Sequence, residues 1–439
     1  MTAACLLLLG CSTPDDRDSD PTTDDTAVDD TADSAGDDTG DGLQPVDLCD
    51  NGVDDDGDGE TDEAGCAVAW FAGEESEYVG TCVGVVADAP QWWAVRAEGR
   101  SEVRPALFDL DREGTRMVRG WQVTSASDLA HIEAFGLELH GGEAYVAYGY
   151  SNETRIESIP EAGGVAVPVV TLPWGGNASW GPSALSSGAS GLEALVPQYD
   201  GLIARYPDVL SGSAPEPDAV FTADDGCCFG REAAFLEDAN GTGTTAALVL
   251  SRDPDGEDNH LYLFAADTRG VAAPADADAV FPLEYGLGGF LRPVGDPDGD
   301  GYPDISMYTG AVIQVAFGPY SGSVPTEDTM GMWGEALTGQ GSLDGDTVDD
   351  LVLTRDDQFY FVHGPLNRES VLLSAQDSER LMPVELGTRS WVWADVVDLD
   401  GDGVPWLLAS YQSYGGQHGI PERAGLVTAH PLPEWVEFE

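Results

Sequence analysis

The stretch that decides the fold is residues 296–304, which reads Asp-Pro-Asp-Gly-Asp-Gly-Tyr-Pro-Asp. Acidic side chains recur at every second position, and the glycines permit the tight backbone curl that would gather them around one point. Because Ca²⁺ takes about six to eight oxygen ligands, the stretch predicts a calcium-binding loop. The phrase Asp-x-Asp-Gly-Asp-Gly recurs at 54–59 and 398–403, and a variant, Ser-Leu-Asp-Gly-Asp-Thr, stands at 342–347. Recurrence at a coarse spacing indicates a repeat protein.

Short runs rich in β-branched and aromatic residues follow or flank the acidic loops, and Gly, Pro, Asp and Asn separate them. They lie at 144–148, 248–250, 261–264, 312–317, 358–362 and 406–409. No segment keeps a helical period over a dozen residues, so residues 67–439 are predicted to be all-β. Loop anchors at positions 186, 238, 296, 342 and 398 are spaced by 52, 58, 46 and 56 residues, which suits a four-stranded blade. We therefore expect a β-propeller, with seven blades favoured over six or eight.

Three further places look like weakened copies of the acidic loop. The copy that starts at Asp238 has partly lost its ligands, and the copy at Ser186 has lost them all. Asp109 begins another remnant. Whether the loops at Asp109 and Asp238 bind metal stays open at the level of sequence.

The charge balance restricts the partners of this chain. It carries 80 acidic residues against 18 basic ones, all of them Arg, for a net charge of −62. Such a charge excludes electrostatic binding to nucleic acid or to an anionic membrane surface. It suits a protein in an environment rich in divalent cations, although acidity that merely keeps a secreted protein soluble would account for the total equally well.

The N-terminus predicts export and lipid anchoring. Residues 8–11, Leu-Leu-Gly-Cys, end a short apolar segment and resemble the lipobox of bacterial lipoprotein signal peptides, in which the Cys is diacylated. The resemblance implies a signal peptide at 1–10 and lipidation of Cys11, with the outer membrane or cell surface as the location because Ser12 follows. The alternative is an ordinary signal peptide cut elsewhere. Residues 11–48, with thirteen Asp and one Arg, are predicted to be a disordered acidic linker.

A Cys-bracketed acidic segment, residues 49–66, comes next. It holds eight acidic residues between Cys49 and Cys66, which form the natural disulfide pair in an exported protein. The segment resembles the Asn-Gly-x-Asp-Asp-Asp-Gly-Asp-Gly metal-binding motif of bacterial surface proteins, and a thrombospondin type-3 array is the nearest rival. The resemblance implies that its metal ligands are Asp54, Asp56, Asp58, Glu60 and Asp62. The pairing of Cys82, Cys227 and Cys228 stays open.

The repeat unit resembles the FG-GAP/VCBS repeat of the integrin-α-type β-propeller, whose pattern is Asp-x-Asp-Gly-Asp-Gly-x-x-Asp followed by an apolar strand. The match is complete at 296–304, nearly complete at 342–350, and lacks the last ligand at 398–406, where Trp406 replaces Asp. We expect side-chain oxygens at loop positions 1, 3, 5 and 9 and the carbonyl at position 7 to bind one Ca²⁺ per loop. The predicted ligands are Asp296, Asp298, Asp300, Tyr302, Asp304, Ser342, Asp344, Asp346, Val348, Asp350, Asp398, Asp400, Asp402 and Val404.

An EF-hand is excluded by the twelfth loop position, which should be a bidentate Glu. Counting from Asp54, Asp296 and Asp398, that position holds Gly65, Met307 and Ala409. The six His are scattered, and neither a His-Glu-x-x-His spacing nor a Gly-x-Ser-x-Gly elbow occurs.

The favoured function is therefore a calcium-binding, lipid-anchored cell-surface propeller without enzymatic activity, which binds a surface protein or a polysaccharide. Its only membrane contact would be the N-terminal lipid. The first alternative is a calcium-dependent polysaccharide lyase or esterase on the same scaffold, which would need a cluster of Arg, His and Tyr because the chain has no Lys. The second alternative, a cation buffer of the envelope, explains the charge but not the strand-forming body.

Overall fold

The computed structural model describes most of the chain from residue 135 to residue 368 and shorter pieces on either side. The described residues are 69–72, 82–83, 91–96, 104–109, 121–122, 135–150, 153–159, 164–173, 184–188, 191–198, 201–212, 215–223, 229–251, 259–283, 291–308, 313–325, 329–332, 336–338, 342, 346–355, 358–368, 372–373, 379–380, 392–397, 406–411 and 426–431. The predicted signal peptide, the linker at 11–48 and the motif at 49–66 lie outside them.

Nearly all regular structure in the described residues is β-strand, and a single 3₁₀ turn, Pro274–Asp276, is the exception. The first strands are β1 (Ala69–Ala72), β2 (Cys82–Val83), β3 (Gln91–Arg96), β4 (Arg104–Asp109), β5 (Trp121–Gln122), β6 (Phe135–His140), β7 (Glu143–Tyr150), β8 (Glu153–Ile159), β9 (Gly164–Val165) and β10 (Val167–Pro173). The next are β11 (Ala184–Gly188), β12 (Gly191–Gln198), β13 (Leu202–Tyr206), β14 (Ala219–Phe221), β15 (Phe229–Leu236), β16 (Ala246–Ser251), β17 (Asn259–Phe264), β18 (Gly270–Ala272), β19 (Ala279–Leu283), β20 (Leu291–Pro293), β21 (Ile305–Tyr308) and β22 (Ile313–Ala316). The last are β23 (Gly322–Ser323), β24 (Thr329–Met332), β25 (Ala336–Thr338), β26 (Leu351–Arg355), β27 (Gln358–Val362), β28 (Leu372–Leu373), β29 (Glu379–Arg380), β30 (Val392–Val397), β31 (Trp406–Tyr411) and β32 (Leu426–Pro431).

The strands form antiparallel sheets in which neighbours in sequence are neighbours in space. In chain order the sheets are β2-β3-β4, β6-β7-β8-β10, β11-β12-β13-β14, β15-β16-β17-β19, β20-β21-β22-β24, β25-β26-β27-β29 and β30-β31-β32-β1. The prediction of an all-β chain is confirmed. The predicted runs at 248–250, 261–264 and 358–362 fall within β16, β17 and β27, and the other predicted runs also fall mainly on strands.

The first strand of each sheet lies next to the first strand of another sheet. β6 contacts β11, β11 contacts β15, and β15 contacts β20. At the other end of the chain β25 contacts β30, and β30 contacts β2 of the first sheet. The first and last sheets are therefore neighbours, although more than 300 residues of chain separate β2 from β30.

Short strands join each sheet to the next at the opposite edge. β18, β23 and β28 each pair in parallel with the last strand of the preceding sheet, which is β14, β19 and β24 respectively. β9 pairs in parallel with β5, and these two strands form a sheet of their own. The earliest described strand, β1, pairs antiparallel with β32, the latest. The segment after Cys66 therefore adds a strand to the last sheet, where it covers an otherwise open edge.

The core lies between the sheets, because each central sheet buries both of its faces. In β16 every residue is buried, and Leu248 and Leu250 pack toward the sheet of β21. Ala247 and Val249, which point to the opposite face, pack toward the sheet of β13. Alternate side chains of a strand point to opposite faces, so a strand packed on both sides has a continuous apolar run.

Candidate metal centre

The acidic loops occupy one equivalent place in the fold, the connection between the first and second strands of a sheet. Residues 296–304 join β20 to β21, and residues 342–350 join β25 to β26. The weaker copy that starts at Asp238 joins β15 to β16. Residues 398–404 fall between β30 and β31, outside the described residues. The sequence repeat therefore corresponds to a repeated loop position in these sheets.

The turn at 296–304 is held by the first Asp and two glycines. Asp296 Oδ1 accepts a hydrogen bond from the Asp300 N–H at 3.0 Å, and Oδ2 accepts one from the Gly301 N–H at 2.8 Å. Gly299 and Gly301 have φ values of 75° and 90°, in the left-handed region where glycine alone is unstrained. The local sequence is therefore sufficient to specify this turn.

Asp304 closes the loop just before β21, and it is 0% exposed. Its Oδ1 accepts a hydrogen bond from the Gly318 N–H at 2.8 Å, whereas its Oδ2 is buried and has no hydrogen-bond partner. The pKa of Asp304 is raised to about 8, mainly by burial and also by the nearby carboxylates of Asp298 and Asp296, while the bond from Gly318 opposes the shift. A buried carboxylate with an oxygen that accepts no hydrogen bond is unfavourable unless a positive charge lies beside it.

Asp296, Asp298 and Asp304 converge on one point. Each offers one oxygen, and these oxygens lie within 4.8 Å of one another. Burial also raises the pKa of Asp296, although hydrogen bonds from Gly301 and Asp300 oppose that shift. Three carboxylates so close together repel one another, and a hard cation would remove the repulsion while it occupied the free oxygen of Asp304.

Asp300 lies outside this cluster, and, like Asp298, it is paired with an arginine that the sequence did not single out. The Arg368 guanidinium donates through Nη2 to Asp300 Oδ2 and through Nε to Asp298 Oδ2. It also lies over the Phe317 ring, with Cζ 5.4 Å from the centroid. Partial burial lowers the pKa of Arg368, but the bonds and charges of Asp298 and Asp300 outweigh that and raise it.

Tyr302, at loop position 7, packs against neighbouring backbone. A Cβ at Gly318 would lie 2.7 Å from the Tyr302 Cβ, so only glycine fits there, and Gly318 precedes a cis Pro319. The Tyr302 ring lies over Gly241 of the preceding loop, where an added Cβ would be 3.0 Å from Cε1. Its predicted role as a carbonyl ligand stays a prediction.

The second loop repeats these contacts. Asp350, 1% exposed, accepts a hydrogen bond at Oδ1 from the Gly364 N–H at 2.8 Å, and Gly364 precedes a cis proline as Gly318 does. Asp346 Oδ1 accepts a bond from the Val348 N–H at 2.7 Å. Ser342 is half-buried, and Asp344 lies outside the described residues.

The two loops contact each other directly through Asp349, which lies between two predicted ligands of the second loop. Its Oδ2 accepts a hydrogen bond from the Asp296 N–H at 2.7 Å, and its own N–H donates to the Asp296 carbonyl at 3.3 Å. Burial raises the pKa of Asp349, and the bond from Asp296 opposes that shift. Val348 packs over Gly299 in the way that Tyr302 packs over Gly241. The loops therefore form a continuous series of contacts from Asp238 to Asp350.

One of the weaker copies was misplaced in the repeat frame. Asp109 is the last residue of β4 and so follows the third strand of its sheet, because the spacing of β-rich runs does not show which strand of a sheet each run becomes. The copy that starts at Ser186 keeps its place, since it spans the connection from β11 to β12, the first and second strands of their sheet. Only two residues separate those strands.

The remaining predicted site residues lie outside the described residues. They are Asp54, Asp56, Asp58, Glu60, Asp62, Asp398, Asp400, Asp402 and Val404, together with the lipidation site Cys11 and the predicted disulfide pair Cys49 and Cys66.

Comparison with known proteins identifies no family. No family model and no curated protein matches the chain. Among solved structures, Sqt1 of Chaetomium thermophilum is 11% identical with a TM-score of 0.44, over 83% of this chain and 88% of that one. The dihydro-heme d1 dehydrogenase NirN is 13% identical with a TM-score of 0.41, over 77% of this chain and 64% of that one. Likenesses this distant indicate no function. In the described residues no helix is long and apolar enough to span a membrane.

Proposed function

We propose that the loops at 296–304 and 342–350 each bind one Ca²⁺, which stabilises the stacking of the sheets. The observation that carries this proposal is the convergence of Asp296, Asp298 and Asp304, because the last of these has a buried oxygen without a partner. A carboxylate in the core destabilises the folded protein unless a ligand compensates its charge. Asp350 occupies the equivalent buried position in the second loop.

Calcium suits these loops better than other common cations. The available donors are carboxylate oxygens with carbonyl and hydroxyl oxygens nearby, and no His or Cys belongs to the cluster among the described residues. Oxygen-only sites select hard cations, and a loop that offers many protein oxygens disfavours Mg²⁺, which retains its waters. In the first loop the ligands would be Asp296, Asp298 and Asp304, joined by Asp300 and the Tyr302 carbonyl. In the second they would be Ser342, Asp344, Asp346, Asp350 and the Val348 carbonyl.

The sheets are interpreted as the blades of one seven-bladed propeller. Support comes from the contacts between first strands, which run from β6 to β20 and from β25 through β30 to β2, and from the pairing of β1 with β32. A ring closed in this way leaves few open strand edges. The calcium loops would all lie on the face where first strands connect to second strands.

The biological role proposed is that of a lipid-anchored surface protein that binds a protein or polysaccharide partner and catalyses no reaction. Support comes from the lipobox-like residues 8–11, the acidic linker at 11–48 and the charge of −62. The loops at 54–62 and 398–404 are proposed as further calcium sites on sequence alone. The enzymatic alternative stays a hypothesis, because no described residue has been placed in a catalytic arrangement.

Thermal unfolding of the full chain in CaCl₂ and in EDTA tests the calcium proposal. We expect a higher Tm in Ca²⁺, because a ligand that binds only the folded state stabilises it by about 4 kcal/mol at roughly 1,000 times its Kd. Asp304→Asn should remove much of that increase. Asp267→Asn, at an exposed position away from the loops, is the matched control and should retain it. Equal Tm values for the wild type in CaCl₂ and EDTA would contradict the proposal.

A further inference from the structure

Arg368 is placed as a positive charge inside the acidic loop, although it comes from a different sheet. It follows the Gly364–Pro365 turn after β27, and its Nε and Nη2 donate to Asp298 and Asp300 of the loop between β20 and β21. The segment that carries it is fastened to the same loop, because the Leu366 N–H donates to the Pro297 carbonyl at 2.7 Å. Its guanidinium stacks on Phe317, a further point of attachment.

This contact uses the carboxylates that a bound cation would need. Asp298 belongs to the cluster of three converging oxygens, whereas Asp300, a predicted ligand, does not. A guanidinium and a divalent cation held by the same pair of carboxylates would repel each other at short range. The two positive groups therefore compete for Asp298 and Asp300.

The preceding repeat shows the same segment without the arginine. Arg368 stands four residues after Gly364, and four residues after the equivalent Gly318 the chain has Gly322. The loop before that segment, 238–246, has Asn240 and Thr242 where the acidic loop has Asp298 and Asp300. Within this pair of repeats, the arginine accompanies the carboxylates, which supports a role in balancing their charge.

We propose that Arg368 determines the affinity of this loop for calcium, as a tethered counter-cation that holds Asp298 and Asp300 in the metal-free chain and is displaced when Ca²⁺ binds. The inference rests on the proposed function of the same loop. The contact of Arg368 with Asp298 and Asp300 has two consequences. The metal-free turn stays ordered, and the affinity for Ca²⁺ is lower than four carboxylates alone would provide.

Arg368→Met tests the proposal, because methionine keeps an unbranched apolar side chain beside Phe317 but removes the charge. Calorimetric titration of the full chain with CaCl₂ should show about tenfold tighter binding at one site, and the Tm in EDTA should fall by a few degrees. Arg368→Lys should bind Ca²⁺ with nearly wild-type affinity. Arg269→Met is the matched control, since Arg269 is an exposed arginine paired with Asp218 on another sheet. It should leave Ca²⁺ affinity unchanged.

Addition of Asp304→Asn assigns the effect to this loop, because the gain in affinity from Arg368→Met should disappear in the double variant. Unchanged or weaker Ca²⁺ binding by Arg368→Met overturns the role of the arginine, while binding by the wild type would leave the calcium loop itself supported. Binding by the variant alone would overturn both the wild-type calcium site and the displacement of Arg368 by Ca²⁺, because the arginine would then block the loop. If neither protein binds Ca²⁺, the proposed calcium site is wrong, and so is the proposed displacement of Arg368.

Discussion

The loops at 238–246 and 296–304 have similar turns but different chemistry. In both, the N–H of the fourth residue donates to the carbonyl of the first Asp, at 2.9 Å from Gly241 and 3.3 Å from Gly299. In both, the N–H of the sixth residue donates to the carboxylate of that Asp, at 2.5 Å from Gly243 and 2.8 Å from Gly301. One Asp and two glycines are therefore common to both turns.

The loops differ at positions 3, 5 and 9, where Asn240, Thr242 and Ala246 stand in place of Asp298, Asp300 and Asp304. Ala246 is 4% exposed and begins β16 as an ordinary core residue. Asp304 occupies the equivalent place with a buried carboxylate. Since the loop at 238–246 forms its turn without those carboxylates, their presence in the loop at 296–304 supports the proposal of a bound cation.

The largest expected effect comes from transfer of the buried acid to the loop that lacks it. Ala246→Asp alone should destabilise the protein by about 3–5 kcal/mol, because it buries a carboxylate without a partner. Addition of Asn240→Asp and Thr242→Asp should restore stability in CaCl₂ but not in EDTA. Titration calorimetry should then find one more Ca²⁺ per chain. A triple variant that is equally unstable in both buffers would show that more than these side chains is required.

The reverse conversion is expected to have a somewhat smaller effect. Asp298→Asn, Asp300→Thr and Asp304→Ala together reproduce the chemistry of the loop at 238–246. The variant should bind one Ca²⁺ fewer and lose about 2.7 kcal/mol of stabilisation at roughly 100 times the Kd. In EDTA it should lose no more stability than Arg368→Met, since the pairs with Arg368 are lost but the mutual repulsion of the carboxylates is gone. A much larger loss of stability in EDTA would mean that these carboxylates hold the turn itself.

Substitution of the glycines that both loops share should have the same effect in the two loops. Gly241→Ala and Gly299→Ala each force a side chain into the left-handed region, with φ values of 68° and 75°. Each should lower the free energy of unfolding by about 1–2 kcal/mol, measured by denaturant titration. The loss should be similar in CaCl₂ and EDTA if the variant turn still forms. A large loss at one glycine only would show that the two turns are not equivalent.

The smallest effect is expected at Glu237, which immediately precedes the loop at 238–246. The equivalent position before the loop at 296–304 is Gly295. Burial raises the pKa of Glu237, and the hydrogen bond from Ser186 at 3.4 Å opposes the shift. Because the folded-state pKa is above the unfolded one, stability falls as the pH rises from the unfolded pKa through the folded one. Glu237→Gln should therefore raise Tm by about 1 °C at neutral pH and not at about pH 4. A Tm difference independent of pH would contradict this.

Much of this architecture could be predicted locally. The runs that became β16, β17 and β27 are visible as short apolar stretches between turn-forming residues. The position of Asp109 was wrong, because a weak acidic pattern does not reveal which connection of a sheet it occupies. Each successful prediction depended on a pattern shorter than about one strand and its turn.

The sequence by itself determined the β-strands, the acidic turns and the carboxylates that they carry, because alternation and glycine positions act over a few residues. Only the tertiary structure decided that Arg368 reaches Asp298 across 70 residues and that Asp349 reaches Asp296 across 53. It also decided that Asp304 is buried with one oxygen unpaired. Those contacts depend on how one sheet packs against the next, and packing between sheets leaves no periodic signal in the chain.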